Sequence, residues 1–473
     1  MEIIVPFHSP SKLKRELGLL GSFSMGFADV GADIFLALGL IAAYAHGLMP
    51  LAILIAAFVY VTSGLSYAEL AAAIPVSGGS SAYGKRAFGP FAGFLAGWGL
   101  LLDYTIDISL FAVASAGYLS FFLPNLALIP IGIPIAAALL IAILLVVNLL
   151  GIRESSAINS ALTLVVILVL IAIVGLGFTF SYSADRFLEG LTPISEDPGF
   201  DSFLYSITLA IVAFVGIESI SQGAEETRNP EKVIPRATFL AIFFVVLFAM
   251  LLSIMALGIV NWQVLADNME NPLLPIAKAL PFASIIVPIV ALAGFLVCFV
   301  SANTGIIGVS RVAYSMSNVG LMARRINWIH PKYRTPWITI AVFSVIAMAL
   351  ALSGDMIFLG ELYAFGALTA YTVTNFSLLK LRVSEPYLHR PFKVPFNIKW
   401  QGHDIPITTI IGALGCLGMF ALVALLHVEG RNFAAIWFIF GICYFFGYRH
   451  YRRQKDIEDV LAGRHPENKV PEG

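Results

Sequence analysis

Residues 26–35 read Gly-Phe-Ala-Asp-Val-Gly-Ala-Asp-Ile-Phe, and residues 214–218 read Phe-Val-Gly-Ile-Glu. Each stretch carries a glycine two residues before an acid: Gly31 precedes Asp33, and Gly216 precedes Glu218. Both stretches lie inside long apolar runs. Glycine allows the backbone to leave the helical conformation, and an acid within such a run usually serves a function. We therefore expect both runs to be helices that are interrupted at a binding site.

The composition indicates an integral membrane protein. Of the 473 residues, 59% are hydrophobic and only 12% are charged, which is more apolar surface than a soluble domain can bury. Apolar runs of about 20 residues, long enough to cross a hydrocarbon core of about 30 Å, recur along the chain. These runs are continuous rather than alternating, so they predict helices and not a barrel. The twelve predicted spans are 18–45, 50–74, 89–122, 129–150, 156–181, 202–226, 237–260, 284–313, 336–353, 356–381, 406–427 and 432–448.

The basic residues sort to one side of these spans. Of the 28 lysines and arginines, only Arg186, Lys278 and Arg431 fall in loops on the other side. Lysine and arginine collect in cytoplasmic loops. We therefore expect a multi-pass protein of the plasma (cell) membrane with both termini in the cytoplasm.

The two Gly-x-acid segments lie five helices apart, in the first and sixth spans. An odd number of helices per half inverts the second half relative to the first, and interrupted helices in corresponding positions are typical of a midplane site between inverted repeats. The free N-terminus of a half-helix attracts anions and the free C-terminus attracts cations, so the pair would suit a zwitterion. The alternative is that both glycines only allow close helix packing.

Further motifs follow in order along nearly the whole chain. They are Tyr67-Ala68-Glu69-Leu70, Pro75-Val76-Ser77-Gly78-Gly79, Phe88-Gly89-Pro90, Gly151-Ile152-Arg153-Glu154-Ser155, Ala224-Glu225-Glu226-Thr227-Arg228-Asn229-Pro230, His330-Pro331-Lys332-Tyr333-Arg334-Thr335-Pro336 and Arg390-Pro391-Phe392-Lys393-Val394-Pro395. As an ordered set they resemble the amino acid permease branch of the amino acid–polyamine–organocation superfamily. The resemblance implies a five-plus-five inverted-repeat core with two additional C-terminal helices, and transport of amino acids with a proton or a sodium ion.

The predicted fold is thus an all-α integral membrane protein with discontinuous first and sixth helices. Its parts are a cytoplasmic N-terminus (1–17), a first inverted repeat (18–181), a second inverted repeat (202–381), a connector with the last two helices (382–448) and a cytoplasmic tail (449–473). Two features depart from the family. The first helix carries the acids Asp29 and Asp33, and Val166 stands where proton-coupled members often have a lysine.

Five acids lie at membrane depth: Asp29, Asp33, Asp103, Asp107 and Glu218. Five bare charges cannot coexist there, so some must be protonated and others must meet a cation. Three interpretations remain open. The acids hold a coupling ion while backbone amides bind the substrate carboxylate, or they bind the positive end of a cationic amino acid or polyamine, or they bind potassium during its uptake.

The predicted substrate site combines both interrupted segments with part of the third helix. Its residues are Asp29, Val30, Gly31, Ala32, Asp33, Tyr104, Asp107, Phe214, Val215, Gly216 and Glu218. For a coupling sodium ion or proton, we expect oxygen ligands from Asp29, Ser301 and Thr304 with carbonyls of the first helix. The alternative is that the two hydroxyls bond back to their own helix.

A gate is expected at the cytoplasmic ends of the helices. There the acids Glu69, Glu225 and Glu226 would form salt bridges with Lys85, Arg86 or Arg228.

Other function classes find less support. The three cysteines lie in apolar runs without metal or disulfide spacing, and we find no paired nucleophile and base and no phosphate-binding loop. We therefore expect neither an enzyme nor a metal site, no cofactor beyond a bound sodium ion or proton, and no nucleic-acid partner. The expected partners are an amino acid substrate, a coupling cation and the lipid bilayer. A membrane nutrient sensor that binds its ligand without moving it is a further alternative.

Overall fold

The computed structural model describes residues 15–151, 156–191, 199–333 and 335–461, and these are mostly helical. The predicted terminal segments 1–17 and 449–473 lie partly outside the described residues. The helices are α1 (Leu19–Ala45), α2 (Met49–Ala73), α3 (Gly79–Phe88), α4 (Pro90–Leu119), α5 (Asn125–Leu128), α6 (Gly132–Leu149), α7 (Ser156–Leu176), α8 (Ala184–Gly190), α9 (Phe200–Ala210), α10 (Ile217–Gln222), α11 (Pro230–Ile259), α12 (Trp262–Ala266), α13 (Leu273–Lys278), α14 (Ala283–Asn318), α15 (Trp337–Ala351), α16 (Met356–Ser384), α17 (Ile407–Leu426) and α18 (Val428–Leu461).

Ten helical stretches of the described chain are long and apolar enough to cross a membrane. The first of these, Leu19–Ala73, contains both α1 and α2, which are separated by the 3-10 turn His46–Leu48. The shorter helix α15 is also apolar. The chain is therefore a multi-pass, largely helical membrane protein, as the composition predicts.

The prediction of a break in the first helix is wrong. Helix α1 runs without interruption from Leu19 to Ala45, through Gly31. A glycine permits unwinding but does not require it, and peptide groups freed in an apolar environment are costly unless something binds them. In α1 the helix satisfies its own peptide groups, and the ring of Phe27 lies 3.0 Å from the position that a Gly31 Cβ would take.

The sixth segment is broken as predicted. It consists of α9, a 3-10 turn at Ile211–Phe214, an extended residue at Val215 and then α10. Gly216 has φ 119°, a conformation that side-chain-bearing residues rarely adopt. Helix α1 passes beside this break, since a Cβ on Gly26 would come within 2.6 Å of the Ile220 side chain.

The connector and the C-terminal end differ from the all-helical prediction. An antiparallel hairpin of β1 (Asn397–Trp400) and β2 (His403–Pro406) lies within the predicted connector. Its turn residues Gln401 and Gly402 both have positive φ, which is the geometry of a two-residue hairpin turn. Helix α18 continues to Leu461, well beyond the predicted end of the last span at 448.

Helix α4 lies at the centre of the protein. Its residues from Phe94 to Tyr118 are almost all buried, and it packs against α14 and α16. Glycines allow the close approach. A Cβ on Gly366 of α16 would come within 2.8 Å of the Asp103 backbone, and one on Gly308 of α14 would come within 2.6 Å of the Tyr104 ring.

Helices α6, α7, α17 and α18 form the periphery and expose large apolar side chains. Leu139, Leu168, Leu414 and Ile436 are each at least 60% exposed. In a membrane protein such side chains face lipid tails. The acids of the centre are thus separated from lipid by surrounding helices.

Candidate functional site

The break in the sixth segment is held open by groups from a neighbouring helix. The Tyr371 hydroxyl of α16 lies 3.1 Å from the Phe214 carbonyl oxygen and 3.1 Å from Glu218 Oε2. The Gly216 N–H donates to Glu218 Oε2 over 3.3 Å. These contacts bind peptide groups that the interrupted helix leaves without an internal partner. Phe214, Val215, Gly216 and Glu218 therefore lie together at the break.

Glu218 also meets a second acid. Its carboxyl group lies within hydrogen-bonding distance of the Asp103 side chain on α4. Both residues are only 1% exposed. Asp103 belongs to the acidic cluster at membrane depth but not to the predicted substrate site. Asp103 lies four residues before Asp107 and on the same face of α4, and this spacing would have justified including it in the predicted site.

Tyr104 joins α4 to the helix that follows the break. The Gln222 side-chain amide donates to the Tyr104 hydroxyl over 2.6 Å, and Ser219 Oγ lies 3.4 Å from the same hydroxyl. Gly308 leaves the space that the ring occupies. The predicted site residue Tyr104 thus contacts α10 directly.

Asp107 lies one turn further along α4 and faces α14 and α16. It accepts a hydrogen bond from the Tyr363 hydroxyl over 3.1 Å. A Cβ on Gly305 would come within 2.8 Å of Asp107 Oδ2. The structure therefore places Asp107 against α14 and α16, with its own partner from α16.

The predicted residues of α1 lie on the helix that passes beside the break. Val30, Ala32 and Asp33 are fully buried, and the Asp33 carboxyl is close enough to the Tyr60 hydroxyl and the Cys298 thiol to interact with both electrostatically. The side chain of Asp29 lies outside the part of the chain that the structure describes. Because α1 is continuous, its peptide N–H groups remain hydrogen-bonded to carbonyls of the same helix.

The predicted coupling-ion residues are only partly brought together. The Ser301 hydroxyl of α14 donates to the Ala28 carbonyl of α1 over 3.1 Å, so this hydroxyl does reach the first helix. The Thr304 hydroxyl bonds back to the Val300 carbonyl of its own helix over 3.1 Å. Among the described residues, no group of three or more His, Cys, Asp or Glu side chains could hold a metal ion.

The predicted gate residues pair with other partners. Within the described residues, none of the three acids forms a salt bridge with Lys85, Arg86 or Arg228, so that prediction of pairing is wrong. Glu69 instead pairs with Arg382 at 2.6 Å and Arg390 at 3.2 Å, and it accepts the Val394 N–H at 2.7 Å. These arginines lie more than 300 residues away in sequence, where local spacing carries no information about them.

The remaining gate residues also have long-range partners. Glu226 pairs with Arg311 at 3.0 Å, and Arg86 pairs with Glu385 at 2.6 Å. The other three contact backbone: Glu225 accepts the Ser77 N–H, Lys85 donates to the Val319 carbonyl, and Arg228 donates to the Arg15 carbonyl. All of these contacts lie at one end of the helix bundle, which is the end that the distribution of basic residues predicts to be cytoplasmic.

Two tyrosines at the break could not have been found from the sequence. Tyr371 lies in a helix of ordinary apolar composition, and nothing in its neighbourhood marks it. The Tyr60 ring of α2 stacks on Phe214 with centroids 5.1 Å apart. Its fully buried hydroxyl has no hydrogen-bond partner among the described residues.

Comparison with known proteins identifies the family of the chain. A model of the family described as amino acid permease matches residues 17–448. A branched-chain amino acid permease of Bacillus subtilis is 25% identical over 94% of this chain and 96% of the relative. The methylthioribose transporter of Bacillus subtilis is 26% identical over 93% and 95%. The low-affinity putrescine importer of Escherichia coli is 26% identical over 80% and 83%. The chain therefore belongs to the amino acid permease family, and the three relatives named above are transporters.

Proposed function

We propose that the protein is a secondary active transporter that imports amino acids across the plasma membrane by alternating access. The substrate lies at the break between α9 and α10, against α1 and α4. The observation that carries this proposal is the left-handed Gly216 beside the buried carboxyl of Glu218. Broken helices at mid-membrane, lined by buried polar groups, are where such transporters bind their substrates.

The proposed membrane arrangement has twelve spans with both termini in the cytoplasm. It counts α1 and α2 separately and includes α15. The first five spans and the next five form the inverted repeats, and α17 and α18 are the two additional helices. In this arrangement α1, α2, α9–α10 and α11 rock against the remaining helices, so that the site opens to one side of the membrane at a time.

The groups at the break suit the ammonium end of an amino acid. The Phe214 carbonyl and the Glu218 carboxyl of the broken segment and the Asp33 carboxyl of α1 offer three oxygen acceptors, and an ammonium group has three donors. The coupling ion is a proton or a cation that offsets the buried negative charge during import.

A second candidate substrate class is a cationic amino acid or a polyamine. Because α1 is continuous, its amide groups do not form the carboxylate site that two broken helices would provide. The described break thus offers acceptors more than donors, which favours amines. A putrescine importer among the relatives is in keeping with this class.

Flux into proteoliposomes tests the proposal. Purified protein is given labelled branched-chain amino acids, cationic amino acids, putrescine and a potassium analogue, with sodium and pH gradients imposed separately. We expect gradient-driven accumulation of at least one amino acid. Binding without flux would instead identify a sensor, and accumulation of the potassium analogue alone would identify inorganic cation uptake.

A further inference from the structure

We infer that Glu218 and Asp103 together hold one exchangeable proton, and that this proton is the ion that couples transport. The inference rests on the proposed function and specifies its coupling site. It names a residue pair, one member on α10 and the other on α4, in place of the Asp29–Ser301–Thr304 group that the sequence analysis predicts.

The first argument counts hydrogens between the two acids. Two ionised carboxylates have only acceptors, so they cannot hydrogen-bond to each other. The Glu218 and Asp103 side chains nevertheless lie within hydrogen-bonding distance, and each residue is 1% exposed. Within the described residues, Glu218 Oε1 accepts no N–H or O–H group. One proton shared by the two carboxyls satisfies this geometry and removes one buried charge.

The second argument counts hydrogens at Tyr371. Its hydroxyl has a single hydrogen but lies 3.1 Å from two acceptors, the Phe214 carbonyl oxygen and Glu218 Oε2. With the shared proton between the two carboxyls, Glu218 is a weak acceptor and the tyrosine can donate to the Phe214 carbonyl. Once the proton has left, the ionised carboxylate is the stronger acceptor, so the tyrosine donates to Glu218 Oε2 instead.

A further polar group, the Tyr60 hydroxyl, indicates where water or substrate could reach this pair. The Tyr60 hydroxyl is fully buried, has no hydrogen-bond partner among the described residues, and interacts electrostatically with Glu218 and Asp33. A buried hydroxyl without a partner is costly, so a water or a polar group of the substrate belongs at this point. The proton and the substrate would therefore reach the same carboxyl.

The position of the pair explains how a proton could drive movement. Glu218 lies on the proposed moving bundle, whereas Asp103 and Tyr371 lie on helices of the other part. With the proton bound, the two carboxyls attract and hold the parts together. After the proton leaves, two like charges face each other in a buried setting and repel. Proton binding and conformation are thereby linked.

The Asp103→Asn variant tests the inference, because an asparagine amide can still donate to Glu218 but cannot release a proton. In proteoliposomes we expect substrate-driven proton uptake and pH-gradient-driven accumulation to fall at least about 10-fold, equivalent to about 1.4 kcal/mol. Exchange of labelled for unlabelled substrate in the absence of a gradient should persist. The control is Asp107→Asn, one turn away on α4. Whatever uptake this variant retains should depend on pH as uptake by the wild type does.

Infrared spectroscopy of the purified protein does not depend on flux, so it tests the inference even if the variants fold poorly. Infrared spectra of the wild-type protein should contain the C=O stretching band of a buried protonated carboxyl, and the band should disappear in both Asp103→Asn and Glu218→Gln. Gradient-driven accumulation by Asp103→Asn, or wild-type accumulation driven by sodium but not by protons, would overturn the inference. Absence of any amino acid exchange by the wild type would instead overturn the proposed function.

Discussion

Gly308 determines how closely Tyr104 can approach the break. A Cβ at this position would lie 2.6 to 2.8 Å from three atoms of the Tyr104 ring, too close for van der Waals contact. We expect Gly308→Ala to push the ring away from Gln222 and Ser219, which costs about 1–3 kcal/mol as overpacking does. Uptake should fall about 10-fold or more, since about 1.4 kcal/mol corresponds to a factor of 10.

Gly418 of α17 provides the matched control. A Cβ there would meet no atom within 4 Å, and alanine is the better helix former by up to about 1 kcal/mol. Gly418→Ala should keep uptake unchanged and raise the melting temperature slightly. Equal uptake by both variants would show that the contact between Tyr104 and α10 is not needed for transport.

The first and sixth helices carry the same Gly-x-acid pattern but have different structures. Gly216 has φ 119°, so an alanine there is strained by about 1–2 kcal/mol, whereas Gly31 lies inside a continuous helix. We expect Gly216→Ala to abolish most uptake. Gly31→Ala should have a much smaller effect, because only the Phe27 ring must shift by a few tenths of an ångström.

The same pair of variants also tests the continuous helix. If Gly31→Ala impaired uptake as severely as Gly216→Ala does, α1 would have to unwind at Gly31 during the transport cycle. Equal expression of the two proteins, each recovered in folded form, is the necessary control.

His427 joins the end of α17 to α9 and α16 at the end of the bundle opposite the gate residues. Its ring stacks on Tyr205 at 4.0 Å, its Nε2 lies 2.6 Å from Thr208 Oγ1, and its Nδ1 lies 3.6 Å from Glu361 Oε1. The Glu361 carboxyl also accepts hydrogen bonds from the Tyr205 hydroxyl and the Gly430 N–H. This cluster packs three elements together around a histidine that is fully buried.

Burial lowers the pKa of His427 to about 3 from its usual 6.5. The folded protein therefore keeps this ring neutral, while the unfolded chain binds a proton as the pH falls below 6.5. Acidification then favours the unfolded state, by about 2 kcal/mol near pH 5 at about 1.4 kcal/mol per pKa unit. We expect the melting temperature to fall between pH 6.5 and pH 5.

The His427→Gln variant should show a shallower dependence of melting temperature on pH over this range. His389, whose side chain is 79% exposed, gives the control: His389→Gln should follow the wild-type curve. Identical curves for the wild type and His427→Gln would contradict the contribution assigned to this histidine.

For the molecule as a whole, the sequence predicts the elements better than the contacts between them. The predicted spans fall on helices because run length and apolarity directly reflect bilayer thickness. The break at Gly216 could be predicted from the Gly-x-acid motif, because glycine allows the backbone to leave the helix; the structure then shows a left-handed residue there. The same argument failed at Gly31, since whether a helix opens depends on neighbours such as Tyr371, which supply partners for the freed peptide groups.

The candidate site could be predicted only in part for the same reason. Phe214 and Glu218 follow from the motif itself. The contact between Glu218 and Asp103 depends on how α4 packs against α10, and the pairing of Glu69 with Arg382 joins residues 313 positions apart. Such contacts arise from tertiary packing, for which local spacing gives no signal.

The central claim is that the substrate binds at the break and that the break opens alternately to the two sides of the membrane. Val215 is the test position, because it is fully buried and extended at the centre of the break. A Val215→Cys variant is prepared in which Cys298, Cys416 and Cys443 are replaced by alanine. This variant must first be shown to take up the amino acid. A membrane-impermeant thiol reagent is then applied to either side of the proteoliposome, with and without the transported amino acid. Labelling from both sides, slowed by the amino acid, is the predicted result; labelling from one side only, or at a rate that the amino acid leaves unchanged, would contradict the account.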